Sequence, residues 1–438
     1  ARNWGLNPQR TLWLYQQIIL PRLTYGCLVW WKKVEGKITC NKLQSFQRMA
    51  LLMVTGAMRT THSRSLEAIL NVAPLDVRIK TLAMAGCNRM IKNGLWRIDA
   101  EAQGHKEIEK MLKRVNENQN EDACKRIWNF NKPFTTIINE RNNWSYGLEI
   151  RNNSECWYTD GSVREERTAI GIYNPVKDIG NSLRLSDFGT ILQAELKAIE
   201  ICAKMCNEQA NGRRTITILT DSQAAIMVLR RACIDTLTSK DCIEQLNQLS
   251  RQNKVIIAWV PGHRGITGNE IADEKARNGL LRCNVDIVIP VAERKLQNSI
   301  KSWEEKQTHK EWREVKRNFK HSDQFLDGFR KERAKMILNS SRKNIRVITG
   351  LVTGHGCLKQ YLYRIGKAEN ENCRFCNSIR EPENMKHLLT ECMALQATRY
   401  RCLGDGTPST EYVRNINWKD LLRFAKETGI YKTFFMDN

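Results

Sequence analysis

Trp259-Val260-Pro261-Gly262-His263-Arg264-Gly265-Ile266-Thr267-Gly268-Asn269-Glu270-Ile271-Ala272-Asp273 is the stretch that decides how the middle of this 438-residue chain is read. The apolar run at 254–260 predicts a buried strand, and Pro261-Gly262 breaks it. The residues after the loop predict a helix carrying Asp273 and Ala276. A carboxylate placed just past a strand and a Gly-rich loop is a candidate metal ligand, which needs further acidic partners.

Three such partners occur. Cys156-Trp157-Tyr158-Thr159 predicts a short strand ending at Asp160-Gly161-Ser162, with Ala169-Ile170-Gly171-Ile172-Tyr173 as the second arm of a hairpin. A weaker strand is expected near 182–185. Residues 191–205 predict a helix, because Leu192, Leu196, Ile199 and Ala203 form one apolar stripe with Glu195 beside it. The β-branched run at 215–220 leads straight into Asp221, and a helix at 222–231 and another through Ile243, Leu246 and Leu249 follow. This order predicts an α/β fold with a mixed five-stranded sheet covered by helices. In such sheets reactive groups gather beyond strand ends, where Asp160 and Asp221 are expected, with Glu195 and Asp273 on flanking helices. One unpaired buried carboxylate costs several kcal/mol, whereas several around divalent cations are neutralised. Taken singly, each acid reads equally as a surface acid or a cap, Asp221 before Ser222 above all. Phosphodiester hydrolysis by two Mg²⁺ ions roughly 4 Å apart needs three or four of them together.

Composition sets the partner class. At 41% hydrophobic residues, more than one core is affordable, and two or three globular units are expected. Lys and Arg total 70 against 47 Asp and Glu, a net charge of +23, which points to a polyanion, nucleic acid first. No apolar run approaches the roughly 18 residues of a spanning helix, so no membrane partner is expected. The start at Ala1 suggests a piece of a longer protein. Fifteen scattered cysteines argue for a reducing, intracellular setting, nucleus and cytoplasm alike, with Cys202, Cys206 and Cys233 as small buried hydrophobes. Residues 1–96 read as helical from Leu12, Tyr15 and Ile19, then Leu43, Phe46, Met49, Ala50 and Met53. No two aspartates are adjacent anywhere, so the paired-aspartate site of a polymerase palm is absent. Residues 97–154, centred on Asn116-Glu117-Asn118-Gln119-Asn120-Glu121-Asp122, read as a helical or loose connector. The segment 283–360 is helical and basic, with 16 Lys and Arg against 7 Asp and Glu between Arg294 and Arg346. Its aromatics, Trp303, Trp312, Phe319, Phe325 and Phe329, fit either a core under a solvated face or a surface gripping phosphates.

Tyr158-Thr159-Asp160-Gly161-Ser162, Gln193-Ala194-Glu195, Leu219-Thr220-Asp221-Ser222-Gln223 and Trp259-Val260-Pro261-Gly262-His263 leading to Asp273 together resemble type 1 ribonuclease H, over 155–282. The resemblance implies cleavage of the RNA strand of an RNA–DNA hybrid. Two Mg²⁺ ions, or Mn²⁺, would sit on Asp160, Glu195, Asp221 and Asp273. His263 would handle protons or product release, and an exposed bystander is its plain alternative. Gly161, Ser162 and Gln223 match positions that contact the hybrid backbone. The chain departs from some members in lacking a long basic insertion after Arg230-Arg231, so grip is expected from neighbouring parts.

Cys373-x2-Cys376-x10-His387-x4-Cys392, within 361–402, has the spacing of a Zn²⁺ knuckle. Four ligands with no open position predict a structural ion, and Glu391 reads as a surface acid. A tail at 403–438 follows. The nuclease-like segment, Leu351-Val352-Thr353-Gly354-His355-Gly356 and the knuckle together resemble the carboxy-terminal part of a non-long-terminal-repeat retrotransposon polyprotein. Residues 1–96 are similar to the thumb of its reverse transcriptase. This implies removal of template RNA, with element RNA or DNA and the remainder of the polyprotein as partners, and no DNA synthesis by this chain. The competing readings are a catalytically silent nucleic-acid-binding fragment and a nuclease acting on DNA.

Overall fold

The computed structural model describes residues 5–96, 103–115, 120–139, 154–208, 213–376 and 381–435. The chain forms two compact units, one of Cys87–Asp99 and Glu109–Ser299, the other of Ala1–Gly86, Ala100–Ile108 and Ile300–Asn438.

In the first unit the described strands are β1 (Ala123–Trp128), β2 (Thr135–Ile137), β3 (Glu155–Arg164), β4 (Arg167–Asn174), β5 (Ile179–Leu185), β6 (Thr215–Thr220), β7 (Cys233–Thr236) and β8 (Lys254–Trp259). Six of them form a mixed sheet in the order β2-β8-β6-β3-β4-β5. The β3–β4–β5 meander is antiparallel, and β3, β6, β8 and β2 run parallel. The central strands read as continuous apolar runs because both faces are covered. Trp157, Ile216, Ile218, Val255 and Ile257 pack under the Ile191–Glu208 helix on one face. Cys156, Tyr158, Leu219, Ile256 and Ala258 pack with Ile266 and Ala272 on the other. Full burial of Trp157 alone stabilises the sheet by roughly 2–3 kcal/mol.

Three sequence expectations are corrected. The sheet has six strands, because Thr135–Ile137 of the supposed connector adds parallel to β8. The connector is not loose where it is described. Asp122 is buried, its Oδ1 accepts from the Thr238 N–H and hydroxyl at 2.8 Å each, and its Oδ2 accepts from Gln193 Nε2 at 3.0 Å. Of the expected polar heart at 116–122, residues 116–119 lie outside the described residues. Asp160 does not end its strand either: β3 continues to Arg164 along β4, and only its pairing with β6 stops, at Thr159 opposite Thr220. Cys202 and Cys206 are buried as expected, while Cys233 is half-buried on β7.

The second unit is helical among its described residues. Leu12, Tyr15, Leu51 and Leu66 share one hydrophobic core with Trp312, Phe325, Ile345 and Leu351, with Leu388 and Cys392, and with Trp418 and Phe424. Stretches that read as separate segments therefore bury a common interior. Trp312, packed near Phe319 and Phe329 with ring centroids 6.4 Å away in each case, belongs to that core.

Candidate functional site

Strand register brings the first two acids together. With Thr159 opposite Thr220 on parallel strands, the next residues, Asp160 and Asp221, emerge side by side at about the 4.8 Å strand spacing. Glu195 arrives from the Ile191–Glu208 helix, which lies close against β3 at Gly161. A Cβ on Gly161 would stand 2.8 Å from both the Ala194 Cβ and the Glu195 N, so any larger residue would push the helix and its carboxylate away. The result is a cluster in which oxygens of Asp160, Glu195 and Asp221 all lie within 4.8 Å of one another. Asp273 comes from the Thr267–Leu281 helix, whose close seat on β4 requires Gly171, since a Cβ there would collide with the Ala272 carbonyl. Its carboxylate falls outside the three-acid cluster and is held by Arg277, whose Nε donates at 2.9 Å.

Burial and mutual repulsion make the cluster electrostatically costly. Burial first, then Asp221 and Asp273, push Asp160 up to about 8. Burial, then Asp160 and Asp221, push Glu195 up to about 9, although the Gly161 N–H and the Thr220 hydroxyl favour its ionised form. Asp221 is raised as well, chiefly by burial, against the opposing pull of Asn269 and of nearby His263. Three acids that resist ionising together form a site suited to a divalent cation, which would replace the protons with a fixed positive charge. The donor set is all oxygen, which fits Mg²⁺ or Mn²⁺.

Four positions that the sequence reading did not single out hold this geometry. Thr220 Oγ1 donates to Glu195 Oε2 at 3.3 Å, and Asn269 Nδ2 donates to Asp221 Oδ2 at 3.4 Å. Trp259 Nε1 donates to the Asp221 carbonyl at 3.0 Å, and Arg277 holds Asp273. Thr220 and Asn269 are fully or nearly fully buried polar residues, and their place next to an acid in each motif was the available signal. His263 is exposed with φ +55°, a left-handed backbone conformation uncommon for a non-glycine residue. Gly161 is buried in β3, Ser162 is half-buried, and Gln223 is exposed at the start of the Gln223–Arg230 helix, behind its Ser222 N-cap.

In the helical unit, Cys373, Cys376, His387 and Cys392 converge with ligand atoms within 4.8 Å of one another. Cys373 and Cys392 sulfurs are 4.0 Å apart, and Cys376 Sγ is 3.4 Å from His387 Nε2. A tetrahedral Zn²⁺ with Zn–S near 2.3 Å needs edges of roughly 3.5–3.8 Å, so the four atoms fit such an ion. The far ring nitrogen, His387 Nδ1, lies 3.6 Å from a Glu381 oxygen and 3.7 Å from a Glu391 oxygen, beyond hydrogen-bond distance. Glu391 is an exposed acid, as expected, and pairs with Lys386 Nζ at 2.7 Å.

The mixed sheet, the order of its strands and the three acids gathered at its centre agree with the family comparison. Residues 152–281 fit the RNase H family model, and this part of the chain is an RNase H domain, of ribonuclease H-type nucleic-acid hydrolases.

Proposed function

We propose that the domain cuts the RNA strand of RNA–DNA hybrids as a metal-dependent endonuclease. The observation that carries this reading is the cluster of buried Asp160 and Glu195 with half-buried Asp221, whose oxygens lie within 4.8 Å of one another. Asp160, Glu195 and Asp221 would hold two Mg²⁺ ions together with Asp273. When bound, the ions supply an activated water and stabilise the charge on the leaving oxygen. Thr220, Asn269 and Trp259 keep the acids oriented, and exposed His263, near Asp221, would carry a proton to or from solvent. Gly161, Ser162 and Gln223 would lie against the hybrid backbone, read through a wide minor groove with 2′-hydroxyls on one strand. Cys373, Cys376, His387 and Cys392 would hold a structural Zn²⁺ in the helical unit. The chain would serve within an intracellular retrotransposon reverse-transcription protein, removing template RNA.

The test is cleavage of labelled hybrid by the full chain with Mg²⁺, beside RNA duplex and DNA duplex controls. Asp221→Asn is expected to slow hybrid cleavage by about 100-fold or more. An Asp221→Asn chain as fast as the parent would overturn the site. A chain that binds hybrid without cutting it would overturn the enzymatic reading.

A further inference from the structure

The ribbon made by β1 and β7 exposes two large aromatic side chains. Trp128 is 63% and Phe130 82% exposed, yet their rings lie parallel within 10° with centroids 6.0 Å apart. The ribbon is anchored through β7, where Ile234 is buried. Trp128, opposite half-buried Cys233, lies on the face away from the Ile127–Ile234 pair. The segment after Trp128 is fixed in place. Asn129 N–H donates to the Ala232 carbonyl at 2.8 Å, and Lys132 Nζ donates to the Leu229 carbonyl and, at 2.6 Å, to the Arg231 carbonyl at the end of the Gln223–Arg230 helix. A rigid backbone therefore presents the rings.

Their surroundings are cationic. Residues 123–132 and 223–236 contain Lys125, Arg126, Lys132, Arg230 and Arg231 against the single acid Asp235. Lys125, Arg126 and Arg231 are exposed. An apolar protein partner would favour an apolar rim, whereas flat aromatic faces ringed by cations match bases joined by phosphates. Only unpaired bases offer free faces for stacking. Position supports the same ligand: the Gln223–Arg230 helix starts two residues after Asp221 and spans about 12 Å, ending where β7 begins.

We propose that Trp128 and Phe130, with Lys125, Arg126 and Arg231, form a binding site for single-stranded nucleic acid, which holds the unpaired strand leaving a hybrid seated on the carboxylates. The placement of that hybrid rests on the nuclease reading; the capture of single strands does not. The ribbon would supply grip in a domain that lacks a long basic insertion after Arg231.

The test compares binding by the full chain of a blunt RNA–DNA hybrid and of the same hybrid with a single-stranded thymidine extension, in magnesium-free buffer. The extension is expected to tighten binding by about ten-fold or more, since one base on one aromatic is worth roughly five- to more than a hundred-fold. Trp128→Ala with Phe130→Ala should abolish this gain, and Trp128→Tyr should keep most of it. Lys125→Ala and Arg126→Ala should each lower the salt slope for the extended substrate by about 0.7. A gain that survives the double substitution overturns the proposal. So does an equal loss for blunt and extended hybrid, which would assign the face to duplex binding or to folding. If the parent cuts no hybrid with Mg²⁺, the nuclease reading falls while the extension measurement still decides the ribbon.

Discussion

Arg277 holds both carboxylate oxygens of Asp273 from one turn further along the same helix. The pair keeps the fourth acid aimed along its own helix and occupied by a cation that a metal would have to displace. An exposed i,i+4 ion pair is worth at most about 1 kcal/mol, so it can be displaced. Arg277→Ala is expected to lower the Mg²⁺ concentration for half-maximal hybrid cleavage by roughly two- to five-fold, the equivalent of that energy. A magnesium titration of parent and variant checks this. An unmoved midpoint would mean that Asp273 takes no part in holding the metal.

The three clustered acids make stability depend on pH in an unusual direction. Asp160 and Glu195 are raised to about 8 and about 9, whereas unfolded carboxyls titrate near 4. Between those limits the folded, metal-free domain holds protons that the unfolded chain has released, so stability falls as pH rises across the window. Thermal unfolding in magnesium-free buffer should show a lower midpoint at pH 8.5 than at pH 5.5, with Mg²⁺ restoring more at the higher pH. Buried acids elsewhere, such as Glu67 and Glu311, add to the trend. The decisive comparison is therefore Asp160→Asn, which should flatten the dependence and stabilise the metal-free domain at high pH. A parent and variant with parallel pH curves would refute the assignment.

The sequence made the site legible because each acid sits where a strand run ends or an apolar stripe passes: Asp221 after the six-residue run of Thr, Ile and Leu at 215–220, Glu195 beside four apolar residues. What it could not supply was register. Thr159 opposite Thr220 makes Asp160 and Asp221 neighbours, and that depends on a pairing between strands 60 residues apart. The sixth strand was hidden for a similar reason. Thr135-Thr136-Ile137 is too short to show alternation and becomes a strand only because β8 offers an edge. The common core of the helical unit was invisible too, since Leu12 and Phe424 carry no local sign that they share an interior. The sequence reading left Trp128 and Phe130 unremarked within the connector; their exposed, stacked arrangement is a tertiary fact.

Asp122 shows how far outside the family match the nuclease fold is secured. It accepts from Thr238 at the start of the Leu237–Leu249 helix and from Gln193, two residues before Glu195. Asp122→Ala would leave the buried Thr238 backbone N–H and hydroxyl without acceptors, while Gln193 Nε2 keeps the Pro290 carbonyl, a loss of about 2–3 kcal/mol. Hydrogen exchange of the first turn of the Leu237–Leu249 helix should accelerate, and the thermal midpoint should fall. Unchanged protection there would show that the connector merely lies on the domain.

The Cys/His cluster gives the last prediction, because its ligands are also core residues. Cys373 and Cys392 belong to the interior that holds Leu388, Trp418 and Phe424, and burial with neighbouring thiols pushes Cys392 up to about 12. Without metal these thiols stay neutral; a bound Zn²⁺ would have to expel their protons, so apparent affinity should drop about ten-fold per pH unit for each proton displaced. Co²⁺ substitution should give thiolate-to-metal absorption, strong near pH 8 and fading steeply toward pH 6. Removal of the ion should lower the thermal midpoint of the helical unit, since the Cys373–Cys392 face then loses its crosslink, and Cys376→Ser should weaken binding without opening the core as far as Cys392→Ser. Half-buried Cys376 and buried Cys392 differ in packing but not in ligation, so equal damage to stability from the two substitutions would point to metal loss as the whole effect. No thiolate absorption at any pH would leave four converging side chains that pack without a metal.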